Sequence, residues 1–255
     1  MNSELDSGGY NLAGHKALVI GAGSAIARAL ISALGQQHTV DHIVAVSRST
    51  SESASDPEVV GSVPVSHITC DYSSAAISEV AAQLSRPFSH VFICTGVLHS
   101  DHIKPEKRLE DIAEAPMAEL LRINSILPAI WLQALLPAIK NSPRCVFTVF
   151  SARVGSISDN RKGGWYSYRA SKAALNMIIK TAAIEYARRA PGVKLLAFHP
   201  GTVDTDLSRP FHKSVPAEKL FSPDFVAQQL LSITAALPVD GEASYLDWAG
   251  ETITW

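Results

Sequence analysis

Cysteine is scarce in this chain, with three in 255 residues, and none lies near another. Cys70, Cys94 and Cys145 each sit in an apolar, strand-like run. A scattered, odd set excludes a disulfide framework and is expected to give reduced, packed thiols. An excess of one charge is also lacking: 22 Lys and Arg stand against 24 Asp and Glu, a formal net of −2. That balance excludes a general nucleic-acid surface, which needs a basic excess. Long apolar runs are interrupted, Ala17 to Leu34 by Arg28 and Ile126 to Ile139 by two prolines, so no membrane-spanning segment is expected. Met1 to Gly14 has neither the basic start nor the apolar core of a signal peptide; it reads as a flexible N-terminus of a cytoplasmic protein. No Pro/Gly/Ser-rich linker and no repeat divides the chain, so residues 1–255 are expected to form one domain, with Ser49 to Pro57 as a surface loop. His99-Ser100-Asp101-His102 lacks the partner set a metal requires, and no metal is expected.

What the chain does have is alternation. Short apolar, β-branched runs at Lys16–Ile20, His42–Ser47, Val65–Thr69, His90–Cys94, Cys145–Ser151, Lys194–His199 and Ala243–Leu246 read as buried strands. Helical patterns fill the intervals at Ala25–Leu34, Ser73–Ser85, Met117–Leu136, Tyr166–Arg189 and Pro223–Leu237. Such alternation predicts an α/β fold: a single Rossmann-type, doubly wound parallel sheet with helices on both faces. Ligands of these sheets bind beyond the carboxyl ends of the strands.

Three groups of residues fall at those ends. Gly21, Gly23, Ser24, Ala25 and Ile26 join the first strand to the first helix, where glycines permit a tight turn and a helix N-terminus offers N–H groups to a pyrophosphate. A plain structural turn is the other reading. The second strand ends in Ser47-Arg48, where an NAD site usually carries an acidic residue. A cation and a hydroxyl suit a 2′-phosphate, which favours NADP(H) over NAD(H); an exposed loop arginine is the alternative. Finally, Tyr168 and Lys172 are four apart, which places them on one helical face. An ammonium beside a phenol is expected to lower its pKa, so that Tyr168 exchanges a proton with a carbonyl oxygen while hydride reaches carbon.

Asn124 stands four residues before Pro128, which has no N–H to bond the Asn124 carbonyl. A helix kink is expected there, and the freed carbonyl either holds a water beside Lys172 or marks an ordinary proline kink.

With these motifs in view the chain resembles the short-chain dehydrogenase/reductase family over nearly its whole length. The matching features run in order: the glycine turn, Asp71, Thr95-Gly96, Asn124, the serines after the fifth strand, Tyr168/Lys172, and Pro200-Gly201-Thr202-Val203-Asp204-Thr205. Ser151 to Ile157 and Tyr245-Leu246-Asp247-Trp248 are most similar to the C-factor/sniffer-like carbonyl reductase group. The resemblance implies an NADP(H)-dependent oxidoreductase acting on a small carbonyl or alcohol substrate, paired as a homodimer or homotetramer. Its alternative is a regulatory or signalling protein that binds NADP(H) with little turnover. The resemblance also implies roles: Asp71, with Tyr72 beside it, at the adenine; Thr95-Gly96 along the ribose; Lys172 on the nicotinamide ribose; Val203 and Thr205, following Pro200 and Gly201, on the carboxamide; and Asn124 in a proton relay.

Departures from the family pattern carry expectations of their own. If Ala25 must adopt a positive φ, it costs on the order of 1 kcal/mol or more. Cys94 replaces an asparagine. Alignment on Gly155 puts Ala152 at the catalytic serine position, leaving Ser151, if the strand end bends, or Ser156 as the hydroxyl that bonds substrate. Arg153 either anchors an acidic substrate or forms a structural ion pair. Trp165 and Tyr166 either line the pocket or cap the helix. Asp206 to Ser222 sits where the family keeps its substrate lid, with Phe211 and Leu220 as expected apolar lining.

Overall fold

The computed structural model describes residues 16–37, 40–49, 58–84 and 87–255; the first fourteen residues and most of the expected Ser49 to Pro57 loop lie outside them. Seven parallel strands form the body of the sheet: β1 (Lys16–Ile20), β2 (His42–Ser47), β4 (Val63–Thr69), β5 (Phe88–Ile93), β6 (Cys145–Phe150), β7 (Val193–His199) and β10 (Ala243–Asp247). An antiparallel edge strand, β3 (Glu58–Val60), completes the order β10-β7-β6-β5-β1-β2-β4-β3. Both β5 and β2 flank β1, so the chain reverses direction across the sheet there and a crevice opens beyond the carboxyl end of β1.

Two-residue periodicity divides the core. In β1, Leu18 and Ile20 pack under α2 (Ser74–Gln83), α4 (Leu127–Ile139) and α5 (Tyr166–Arg189). Ala17 and Val19 face the other way, toward α1 (Ala25–Gln37) and α6 (Pro223–Ala236). Strands buried on both faces are why the sequence reads there as continuous apolar runs.

The helical stretch Glu114–Ile139 departs from expectation. It joins α3 (Glu114–Leu121), a π-turn (Arg122–Ile126) and α4 without a break, 26 residues in all. By length and hydropathy it matches a bilayer-crossing helix, a match that its prolines were expected to exclude. Pro128 falls in the first turn of α4, and Pro137 in its last, where neither ends the helix. The stretch is half buried, with Trp131, Leu132, Leu135 and Ile139 packed into the core under the sheet. Around Asn124 the missing Pro128 N–H is absorbed by widening the turn: the Leu127 N–H reaches back to the Arg122 carbonyl.

Candidate active site

A cavity of about 610 Å³ lies at the carboxyl ends of β1, β5, β6 and β7. Its floor is the glycine turn. Gly21 has φ +82°, and an added Cβ would stand 3.1 Å from the backbone of Cys94 and Thr95, so only glycine fits between the two strand ends. Gly21 and Ala22 both donate to the Val46 carbonyl, at 2.9 and 3.0 Å, which pins the turn to β2. The Ser24 hydroxyl caps α1 by accepting from Ala27 N–H at 3.2 Å. Ala25 opens α1 and is absent from the positive-φ residues, so the strain expected at that position does not arise.

Tyr168 and Lys172 both line this cavity from α5. Lys172 is 3% exposed, and its Nζ donates to the Phe150 carbonyl at 2.8 Å. The same Nζ stands 5.9 Å from the centre of the Tyr168 ring. Burial lowers the ammonium from its ordinary 10.5 to about 8. It pushes the phenol the other way, well above its usual range. The expected lowering of Tyr168 is thus reversed: burial of the phenolate, with Tyr245 beside it, raises the phenol instead.

Asn124 is fully buried, and its side chain clamps the segment after β5. Its Oδ1 accepts from Val97 N–H at 2.9 Å; its Nδ2 donates to the Val97 carbonyl at 2.8 Å and to the Ser171 hydroxyl at 3.0 Å. A Cβ on Gly96 would lie 3.5 Å from Asn124 Oδ1 and 3.7 Å from Lys172 Nζ, so these groups converge on one point of the wall.

Neither expected serine presents its hydroxyl to Tyr168. Ser151 lines the cavity, but its Oγ donates to Asn176 Oδ1 at 2.6 Å, on the inner side of α5. The strand end does not bend, and alternation sends the side chain inward. Ser156 is buried outside the cavity lining and accepts from Asp159 N–H at 3.1 Å. Ala152 takes the wall position instead, its carbonyl held by the Tyr245 hydroxyl at 2.6 Å.

The features present fit a dinucleotide. Nothing lies within 4 Å of a Cβ added to Gly23, so the turn is open on that side. Ser24, Ala25 and Ile26 line the cavity at the N-terminus of α1, and Pro200, Gly201, Val203 and Thr205 line it from beyond β7. Thr95 Oγ1 is buried against the cavity without a hydrogen-bond partner among the described residues, an acceptor and donor left for a ligand. Ser47, Arg48 and Asp71 stand outside the cavity at the ends of β2 and β4, with Arg48 and Asp71 exposed. The Ser47 hydroxyl donates to the Ser49 carbonyl at 2.5 Å. Asp71 accepts from Ser73 N–H at 2.7 Å, which lowers its pKa. Tyr72 is occupied differently than expected: at φ +63° it tucks its hydroxyl against the Val46 carbonyl, 3.3 Å away, and its ring edge-on to Trp131. It supports the glycine turn from below.

Arg28 and His199 are among the cavity residues that escaped the sequence reading. Arg28, one turn into α1, donates to the Gly23 carbonyl and lines the mouth. Its position after the glycines was the available signal. His199 lines the cavity, with Nδ1 unpartnered among the described residues, and burial lowers it to about 4. Arg153 lines the cavity too, in ion pairs with Asp247 at 2.8 Å and Asp159 at 3.4 Å, the structural reading of that residue. His102 pairs with Glu119, and His99 reaches the Leu207 carbonyl. In the segment 206–222, Phe211 lines the cavity as expected, but Leu220 does not: it pairs with Thr202 in a two-strand ladder, β8 (Thr202–Val203) with β9 (Leu220–Phe221).

A doubly wound sheet, a glycine turn at its switch point and a tyrosine–lysine pair four residues apart define a nucleotide-binding oxidoreductase architecture. The chain belongs to the short chain dehydrogenase family, whose profile matches residues 15–215. Over 147 residues it is 31% identical to the C-signal protein of Myxococcus xanthus, a span of 58% of this chain and 83% of that one. Its fold is similar to carbonyl reductase Sniffer of D. melanogaster, with TM-score 0.78 and 17% identity over 95% of this chain and 100% of the other. It is similar also to the NADPH-bound carbonyl reductase from chicken fatty liver, with TM-score 0.75 and 21% identity over 96% and 100% of the two chains. At these identities the solved structures speak to fold alone. The family is the one to which the motifs pointed, and the likeness to C-signal lies within the expected group.

Proposed function

We propose that this chain reduces a carbonyl compound to an alcohol, or runs the reverse, with NADP(H) as cofactor and Tyr168 as the proton-exchanging group. The observation that carries the reading is the pair of Tyr168 and Lys172, buried together on the wall of a cavity whose other end is an open glycine turn. NADP-bound and NADPH-bound relatives of the same fold support the choice of cofactor, as does Arg48.

Gly23, Ser24, Ala25 and Ile26 would hold the pyrophosphate, Arg48 and Ser47 the 2′-phosphate, and Asp71 the adenine. Thr95 and Gly96 would border the ribose, and Pro200, Gly201, Val203 and Thr205 the carboxamide. When bound, the reduced nicotinamide supplies hydride. Tyr168 holds its proton at neutral pH because burial disfavours the phenolate, and releases it to the oxygen of a bound carbonyl. Lys172, fixed by the Phe150 carbonyl, remains mostly protonated at neutral pH and supplies positive charge beside that oxygen. Asn124 keeps the Gly96-Val97 backbone against this pair and is proposed to relay protons to it. Residues 206–222 are proposed to form the substrate lid. The exposed Met177 and Ile184, two turns apart on α5, with Ile126 nearby in sequence to Asn124, are proposed to pair copies of the chain.

Ala152 on the wall and the inward Ser151 hydroxyl favour a second reading, a regulatory protein that binds NADP(H) with little turnover. A panel of aldehydes and ketones followed by NADPH absorbance, together with NADPH titration, separates the two. Turnover above background supports the reductase; tight NADPH binding with no turnover across the panel refutes it in favour of the regulatory reading.

A further inference from the structure

Catalytic helix α5 begins with an unusual stretch of backbone. Gly163, Gly164 and Trp165 follow one another in the left-handed region, with φ of 63°, 66° and 54°. Glycine takes this conformation at little cost, but a bulky residue there is strained and persists only where its surroundings compel it. Here they do. Trp165 N–H donates to the Glu106 carbonyl at 2.6 Å. The Glu106 carboxylate, on a residue 5% exposed, accepts from Ser167 N–H at 3.3 Å and from the Ser167 hydroxyl. From the other side Arg169 takes the carbonyls, with Nε on Gly164 at 2.8 Å and Nη2 on Gly163 at 3.1 Å. A residue at this cap position ordinarily sits in the extended region, where its side chain would leave the helix in another direction.

The result is a placed indole. Its ring centre lies 4.9 Å from Phe211 and 6.2 Å from Tyr168, and it packs against the buried cluster of Leu98, Ile103, Leu120, Ala152 and Tyr168. Phe211 belongs to the segment 206–222, so Trp165 is where that segment meets the catalytic helix. Arg153, which lines the same cavity, is tied to Asp247 and Asp159.

We propose that Trp165 determines specificity as the aromatic wall of the substrate end, that Glu106 and Arg169 are positioning residues that hold it there, and that the pocket selects aryl carbonyl compounds over alkyl ones. The proposal rests on the carbonyl-reductase reading. Flat aromatic surface gains edge and offset-stacking contacts from Trp165 and Phe211 that an alkyl chain does not.

The test compares acetophenone with butan-2-one. Wild type is expected to favour acetophenone in kcat/KM, and Trp165→Ala to lower that preference about tenfold, mainly through KM. Trp165→Phe, which keeps an aromatic ring, is expected to retain most of the preference. Glu106→Gln, which replaces an acceptor of the Ser167 contacts by a donor, is expected to lower it about threefold while Tm falls only slightly. Saturation-transfer NMR on the acetophenone ring protons, with NADP⁺ present, reads the pocket without turnover. Transfer in wild type that is lost in Trp165→Ala supports the proposal even if no carbonyl is reduced, an outcome that defeats only the reductase reading. Equal transfer in the two proteins, or a preference within twofold of wild type in Trp165→Ala, overturns it.

Discussion

A lysine ammonium and a tyrosine phenol respond in opposite ways to removal from water, and the site uses both responses. Lys172 falls from 10.5 to about 8 in the folded chain, so between those values the unfolded state binds more protons than the folded one. Stability contributed at this position therefore rises as pH increases from about 8 to 10.5. Replacing the buried ammonium by an apolar chain of similar length, Lys172→Met, is predicted to stabilise the cofactor-free protein at neutral pH by up to about 3 kcal/mol. It should also flatten the alkaline rise, as measured by denaturant unfolding across pH. At the opposite end of the cofactor, Arg48→Ala is predicted to weaken NADP binding about tenfold and NAD binding less than about twofold. Calorimetric titration checks this, and equal loss for both cofactors would remove the phosphate role. Pair, glycine turn and strand-end residues were legible because each depends on spacing and local chemistry. The direction of the Tyr168 shift was not, since it is set by how much protein surrounds the ring. Nor was the inward Ser151 hydroxyl, which depends on whether the end of β6 stays straight.

At the scale of elements, close approach decides the site. The turn Arg153–Gly155 lies so near α5 that a Cβ on Gly155 would stand 2.8 Å from the carbonyl carbon and Cβ of Lys172. Gly155→Ala must push the turn or the helix aside, at about 1–3 kcal/mol. The predicted outcome is a lower Tm and a lower kcat, since the Phe150 contact that fixes Lys172 lies on the adjoining strand. An unchanged kcat would show that the turn does not position the lysine. Helix α5 was fully readable from the chain because no glycine or proline interrupts Tyr166 to Arg189 and Leu175, Ile179, Ala183 and Tyr186 recur at helical spacing. The edge strand β3 and the β8–β9 ladder were not, since runs of two or three residues carry no periodicity. The partner of β9 lies before the intervening segment, so that Leu220, which looked like pocket lining, instead closes the base of the segment carrying Phe211.

For the whole molecule, strand–helix alternation left few arrangements open, because right-handed crossovers over a parallel sheet bring every strand end to one edge. Assembly was implied only by resemblance, and the exposed apolar side chains of α5 are the interface proposed for it. Met177 and Ile184 are 64% and 61% exposed on α5, the helix whose opposite face carries core residues such as Leu175 and Ile179. A Met177→Lys, Ile184→Glu double variant is predicted to sediment as a monomer where wild type sediments as a dimer or tetramer, with little change in the unfolding midpoint per chain. Identical sedimentation would place any interface elsewhere.

Tyr168 is the residue on which the whole account turns. Single-turnover mixing of NADPH-loaded enzyme with a ketone reduced by the wild type, compared with Tyr168→Phe, tests it most directly. Loss of the proton-exchanging oxygen is predicted to slow NADPH oxidation at least about 100-fold while the NADPH Kd stays within about twofold. A variant that oxidises NADPH at the wild-type rate would contradict the mechanism outright.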